Sequence, residues 1–179
     1  GKFIERLAGA DTFVFDKTGT LTDAKPTVSK IITAEGFERS SLLRDAACVE
    51  EHFPPPVAAA IIRQAEKEGL WHGNEIHGLV TNVVAHGVVS AIGKKRFLIG
   101  SARFLKQHGI LVSEDWIKLA TGSSVYAAVD GKLAGMFVVD DPIRAETSRM
   151  LEELRKLGIK RTVLLTGDNA VNAKRVAET

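Results

Sequence analysis

Seven consecutive residues, Asp16-Lys17-Thr18-Gly19-Thr20-Leu21-Thr22, bring together a carboxylate, a cation, three hydroxyls and a glycine. They follow the apolar run Thr12-Phe13-Val14-Phe15, which reads as a buried strand, so Asp16 is expected at a strand's C-terminal end. In an open α/β sheet that edge is where ligands sit. A carboxylate placed there can attack phosphorus and become an acyl phosphate, a recognised form of covalent catalysis. Gly19 lets the backbone turn close to a phosphate, and the hydroxyls of Thr18, Thr20 and Thr22 can donate to its oxygens.

A second segment of this kind is Thr166-Gly167-Asp168-Asn169, which follows Thr162-Val163-Leu164-Leu165 and opens a helical pattern. The Thr166 hydroxyl and the first helical amides suit a phosphoryl oxygen. Asp or Asn in that place also serves as an ordinary helix cap. No Gly-x-x-x-x-Gly-Lys-[Ser/Thr] occurs, so the phosphate-cradling loop of the P-loop nucleoside triphosphatases is not in play. His72, His77 and His86 have no metal-cluster spacing.

The Asp16–Thr22 string resembles the phosphorylation motif of the P-type ATPases, ion pumps built on a haloacid-dehalogenase-like core. The resemblance implies that Asp16 accepts the γ-phosphate of ATP, that Lys17 and Thr18 stand beside it, and that Asp16 and Thr18 contact Mg²⁺. Phosphatases of that superfamily carry an acidic residue two positions after the nucleophile. This chain has Thr18 there, a poor general base, so the acyl phosphate is expected to persist. Thr166, Gly167 and Asp168 resemble the family's second motif, in which Asp168 helps to order the loop and the metal shell. Asp140-Asp141-Pro142-Ile143-Arg144 resembles its return hinge. From residue types alone, Asp141 suits a helix cap and Pro142 the first helical position. Arg144 then reads as a solvated helix-face residue, with a phosphate contact as the alternative.

Pro55-Pro56-Val57-Ala58-Ala59-Ala60-Ile61 resembles the helix start that heavy-metal pumps write as His-Pro-Leu-Ala-x-Ala-Ile. In that subclass the His contacts adenine, and a Glu five residues earlier contributes. Glu50 stands at that spacing from Pro55; the His is absent, and His52 is the candidate substitute. Ala85-His86-Gly87-Val88 resembles the subclass's Gly-x-Gly-Val, whose glycines let a nucleotide approach the backbone. Gly87 matches and Ala85 departs. The resemblance implies the cytosolic ATP-binding and phosphorylation portion of an integral membrane pump for a transition-metal ion. ATP and Mg²⁺ would be its cofactors. Its partners would be a membrane transport domain of the same polypeptide and a metal ion bound elsewhere. Two other readings stay open: a nucleotide-binding regulatory module without chemistry, and a haloacid-dehalogenase-like phosphatase.

These residues need a scaffold, and the patterning predicts one. Phe3 to Leu7 reads as a helix end, Val28–Thr33 as a strand, and Ser40 as the cap of a helix to about Glu51. Three prolines interrupt there. Pro56 suits the first turn of a helix to Glu68, with Gly69 at its C′ position. Leu79 to Ile99 reads as antiparallel strands with a Gly93-Lys94 turn. Ser101 and Ser113 are expected to cap short helices, and Asp130-Gly131 is a two-residue hairpin signal. Arg144 to Leu157 has helical spacing, with Met150, Leu151, Leu154 and Leu157 on one face. Helix–strand order then indicates a parallel sheet. The expected fold is α/β: an incomplete haloacid-dehalogenase-like parallel sheet carrying an inserted α+β, antiparallel-sheet nucleotide-binding domain. Residues 1–24 and 140–179 form the phosphorylation domain, and 25–139 the insert.

Composition agrees with a chain that buries a core: of 179 residues, 45% are hydrophobic and 26% charged. A net charge of +2 and 6% aromatics give no basis for a nucleic-acid partner. Cys48, without a second cysteine, excludes an internal disulfide and reads as a packed core residue. No run approaches the roughly 18 apolar residues that cross a bilayer. Lys94-Lys95-Arg96 reads as a solvated hairpin tip. Gly1 begins and Thr179 ends inside a pattern, as a piece of a longer chain does. The family's later Lys and its Gly-Asp-Gly-x-Asn-Asp loop do not occur before Thr179. These 179 residues alone are therefore expected not to autophosphorylate at a useful rate.

Overall fold

Residues 2, 8–50, 56–70, 81–83, 87–120, 123–167 and 170–178 are described by a computed structural model. The strands are β1 (Thr12–Asp16), β2 (Thr27–Thr33), β3 (Thr81–Val83), β4 (Gly87–Ile92), β5 (Lys95–Gly100), β6 (Ser123–Val129), β7 (Lys132–Asp140) and β8 (Arg161–Leu165). The helices are α1 (Arg39–Glu50), α2 (Pro56–Lys67), α3 (Ala102–Gln107), α4 (Glu114–Lys118), α5 (Thr147–Lys156) and α6 (Ala170–Glu178). They divide between two units, Gly1–Lys25 with Asp141–Thr179, and Pro26–Asp140. The expected helix end at Phe3–Leu7 lies outside the described residues.

In the unit Pro26–Asp140, an antiparallel sheet of six strands runs in the order β2-β7-β6-β5-β4-β3. Side chains alternate across it, as the strand period of two requires. Phe97, Ile99, Ala127 and Phe137 face one core with Leu43 and Ile61 from α1 and α2. Leu98, Tyr126, Ala128 and Met136 face the other, with Phe104 and Leu105 from α3. The central strands are thus apolar on both faces. Burying each such large side chain is worth about 1.5–3 kcal/mol. The β6–β7 hairpin turns at Asp130 (φ 48) and Gly131 (φ 81), the left-handed pair that a two-residue connection demands. The Asp130 carboxylate also accepts from the Arg96 N–H at 2.8 Å, fixing the turn to β5.

Local chemistry sets the helix ends. Gly69 (φ 68) closes α2: its N–H donates to Glu66 O and the Leu70 N–H to Ala65 O, a Schellman motif. At α1 the expected cap is corrected. Ser40 sits inside the first turn, and the Glu38 carboxylate does the capping. It accepts from the Ser40 and Ser41 N–H groups at 2.8 and 2.7 Å and from the Ser40 hydroxyl. The longer Glu side chain reaches donors that a cap residue normally meets with Asp or Ser. Ser101 caps α3 through the Phe104 N–H. Ser113 occupies the cap position of α4, but its side chain makes no cap bond.

In the other unit, β1 and β8 pair in parallel, Thr12 opposite Arg161 through Asp16 opposite Leu165. Both were expected as buried strands, and the pair is covered on one face only. Phe13 and Phe15 are half-buried, while Val14 is 60% and Leu165 62% exposed. Neither Asp141 nor Pro142 starts a helix. Ile143 bridges to Thr22, the Arg144 N–H donates to Leu21 O, and α5 begins at Thr147. The backbone groups that a first helical turn would direct along its axis are committed to the Asp16 loop instead. Leu157 follows α5 and is 80% exposed, so it leaves the apolar face expected for it.

The α1 cap makes a pH prediction. Hydrogen bonds from Ser40 and Ser41 hold the Glu38 carboxyl down to about 2 from its ordinary 4.5. A group lowered on folding contributes stability above its unfolded value and loses it as pH falls through the folded value. The difference in melting temperature between wild type and Glu38→Gln is therefore expected to shrink between pH 4.5 and about 2. A difference that stays constant across this window contradicts the carboxylate cap.

Candidate functional site

Asp16 ends β1 in extended conformation (φ −69, ψ 144) with an exposed side chain. The chain then turns at Thr18 (φ −77, ψ 118) and Gly19 (φ 79, ψ −9), the angles of a type II turn. Only the second position needs a positive φ, and glycine occupies it. Thr18 and Thr20 are exposed and Lys17 is half-buried. The loop closes with the Thr22 N–H donating to Lys17 O at 3.1 Å.

Thr22 is completely buried, which corrects its expected role as a phosphate donor. Its hydroxyl accepts from the Gly19 N–H at 3.2 Å. It has one proton for two acceptors, Asp141 Oδ2 at 2.5 Å and Lys17 O at 3.1 Å. The shorter contact to a carboxylate is the stronger. Asp141, expected as a helix cap, thus anchors the Asp16 loop from the return segment.

Arg144 was expected on a helix face, and it lies before the helix, turned to the Asp16 loop. Its Nε donates to Thr22 O at 3.0 Å, its Nη2 to Gly19 O at 3.3 Å, and its Nη1 pairs with Asp23 at 3.3 Å. The Thr147 hydroxyl donates to Leu21 O at 3.2 Å. Sequence reasoning missed Asp141 and Thr147 as loop anchors. The only local signal was the Asp-Asp-Pro-Ile-Arg string itself, whose partners lie more than a hundred residues away.

The parallel register sets Asp16 beside Leu165, so Thr166 and Gly167 continue from the same sheet edge as Lys17 and Thr18. Thr166 is half-buried and Gly167 exposed. Asp168 and His52 lie outside the described residues, as do Pro55, Ala85 and the histidines 72, 77 and 86. Glu50 is the last residue of α1. Gly87 opens β4 with φ 155, and a Cβ there would stand 2.5 Å from both Ile99 O and a Phe104 ring carbon. Close packing therefore accounts for this glycine. A cavity of about 360 Å³ bordered by Phe15, Leu151, Leu164 and Val176 opens on the opposite face of the β1–β8 pair from Asp16.

Among the described residues, no group of three or more His, Cys, Asp and Glu gathers as a metal site. Among the described residues, the Asp16 edge offers one exposed carboxylate and the hard oxygens of Thr18. These fit Mg²⁺, which generally takes one or two carboxylates and completes its shell with water and substrate phosphate.

The sequence matches the family described as "Hydrolase: haloacid dehalogenase-like hydrolase" over residues 10–179. It is 35% identical over 184 residues to a silver exporting P-type ATPase of Salmonella typhimurium, covering 97% of this chain and 21% of that protein. A zinc-transporting PIB-type ATPase crystallised in an E2.Pi state is 30% identical, with a TM-score of 0.80 over 98% of this chain and 28% of that one. The crystallised N-domain of a copper-transporting P-type ATPase is 28% identical, with a TM-score of 0.56, over 65% of this chain and 99% of that one. The chain spans about a fifth to a quarter of the length of the curated relatives it matches.

The packing around Gly87 can be tested directly. Gly87→Ala is expected to destabilise the chain by about 1–3 kcal/mol in urea unfolding without any nucleotide, the usual cost of overpacking. Unchanged stability with weakened nucleotide binding would assign the glycine to ligand approach instead.

Proposed function

Because the chain belongs to the haloacid dehalogenase-like hydrolases, we propose that it is the cytosolic catalytic part of a heavy-metal-exporting P-type ATPase, with Asp16 as the acceptor of the γ-phosphate of ATP. One observation carries this reading. Asp16 stands exposed at the C-terminal end of a parallel strand, beside the start of the Thr166 loop, and is followed by a type II turn with no second carboxylate. Similar proteins are a silver exporting and a zinc-transporting ATPase, and in this proposal a membrane half of the same polypeptide binds such an ion. The unit Pro26–Asp140 holds the adenosine in this proposal, with Glu50 and His52 near the base and Gly87 opening the strand beneath it.

In the chemical step an Asp16 oxygen attacks the γ-phosphorus in line. The new O–P bond forms as the bond to the β,γ-bridging oxygen breaks, and ADP leaves with that electron pair. Mg²⁺, held by Asp16 and Thr18 when bound, offsets charge that builds on the phosphoryl oxygens. Thr166 and Gly167 supply a hydroxyl and an amide at the same edge, and Asp168 orders the loop that carries them. Lys17 adds positive charge next to the nucleophile. Thr18 cannot take a proton from water as a carboxylate would, so the acyl phosphate outlives the step that forms it. This separates the proposal from a phosphatase, whose second acid would discharge the intermediate at once.

The full-length protein, incubated with radiolabelled ATP and Mg²⁺ and quenched in acid, is expected to carry an acid-stable label that hydroxylamine removes. Asp16→Asn is expected to abolish it. Label that survives this substitution would falsify the assignment.

A further inference from the structure

The return segment Asp141–Thr147 directs four donors at the carbonyls of the Asp16 loop. Gly19 O, Leu21 O and Thr22 O receive the Arg144 Nη2, the Arg144 N–H together with the Thr147 hydroxyl, and the Arg144 Nε, respectively. On this basis we propose that Arg144 is a positioning residue for phosphoryl transfer, a rigid clamp that sets the shape of the loop following Asp16. The proposal rests on Asp16 being the phosphoryl acceptor.

The chemistry of the side chain supports a geometric role. A guanidinium presents its donors in one fixed plane, unlike the point charge of a lysine. Each of its three nitrogens has its own protein partner: Gly19 O, Thr22 O and the Asp23 carboxylate. The two carbonyls are thus held at a separation the side chain dictates. Five residues, Lys17–Leu21, form an irregular loop with non-helical angles at Thr18 and Gly19, so no regular ladder fixes its shape. A peptide unit is planar, so holding the Gly19 carbonyl also fixes the Thr20 N–H. That peptide lies on the exposed crest of the turn, within four residues of the attacking carboxylate. Misplacing a reacting group by about 1 Å can cost on the order of 100-fold in rate.

The test uses the full-length protein and three variants, Arg144→Lys, Arg144→Ala and Thr147→Val. Rapid-quench phosphorylation at saturating ATP is expected to slow about tenfold or more in both Arg144 variants. It is expected to slow by less in Thr147→Val, which removes one carbonyl contact at nearly constant volume. Nucleotide affinity should stay within about twofold, because in this proposal the clamp acts on the loop and not on ATP. Amide exchange should rise at residues 18–22 and not in β1 or β8. Wild-type phosphorylation rates in Arg144→Lys would overturn the clamp, because charge alone would then suffice. Exchange raised equally throughout the unit would overturn it too, in favour of general destabilisation. A wild type that takes up no phosphate, with loop exchange still raised by Arg144→Lys, would sink the function proposed above while supporting the clamp.

Discussion

Parallel pairing between Thr12–Asp16 and Arg161–Leu165 is the constraint on which the rest depends. Two parallel strands end at the same edge, and here both lead into polar loops. One carries a carboxylate followed by hydroxyls, and the other carries Thr166 and Gly167. Neither loop alone distinguishes a reactive site from an ordinary strand end. Their register brings the two loops to one place, because Asp16 and Leu165 are direct neighbours across the pair. Parallel strands require a crossover connection, and in this chain that connection includes the whole unit Pro26–Asp140 as well as α5.

The edge would be of little use with a loose loop, and local propensity does not hold this one. A type II turn at Thr18-Gly19 sets its first bend, and a single backbone bond closes it. The carbonyls of Gly19, Leu21 and Thr22 are met by residues that return to the unit after the insert. Buried backbone acceptors need partners, and Arg144 and Thr147 supply them, while Asp141 accepts from the Thr22 hydroxyl, all from one short segment. The same bonds explain why the helix expected from Arg144 starts only at Thr147. Where local and distant demands on one backbone conflicted, the distant partners won.

Much of the fold was legible before any coordinates. Thr12–Phe15, Val28–Thr33, the Asp130-Gly131 hairpin and the Gly69 helix end follow from local periodicity and turn chemistry, and all appear. The fold class and the Asp16 edge were readable for the same reason. Less readable was what depends on partners far along the chain. Thr22 looked like a ligand hydroxyl among others of its kind, and only its burial against Asp141 shows otherwise. Arg144 looked like a helix-face residue because its three partners do not appear in its own neighbourhood. The strands of the parallel pair looked buried, since apolar runs do not reveal which face will be covered; Val14 and Leu165 are exposed.

The central claim is that one carboxylate captures a phosphoryl group. Borohydride reduces an aspartyl phosphate to homoserine, so the acceptor can be read by position rather than inferred from loss of activity. Full-length protein phosphorylated with ATP, reduced and digested should give a peptide with homoserine in place of Asp16 and an unaltered Asp168. Homoserine at any other position, or intact aspartate at 16 in protein that carries covalent phosphate, would contradict the account.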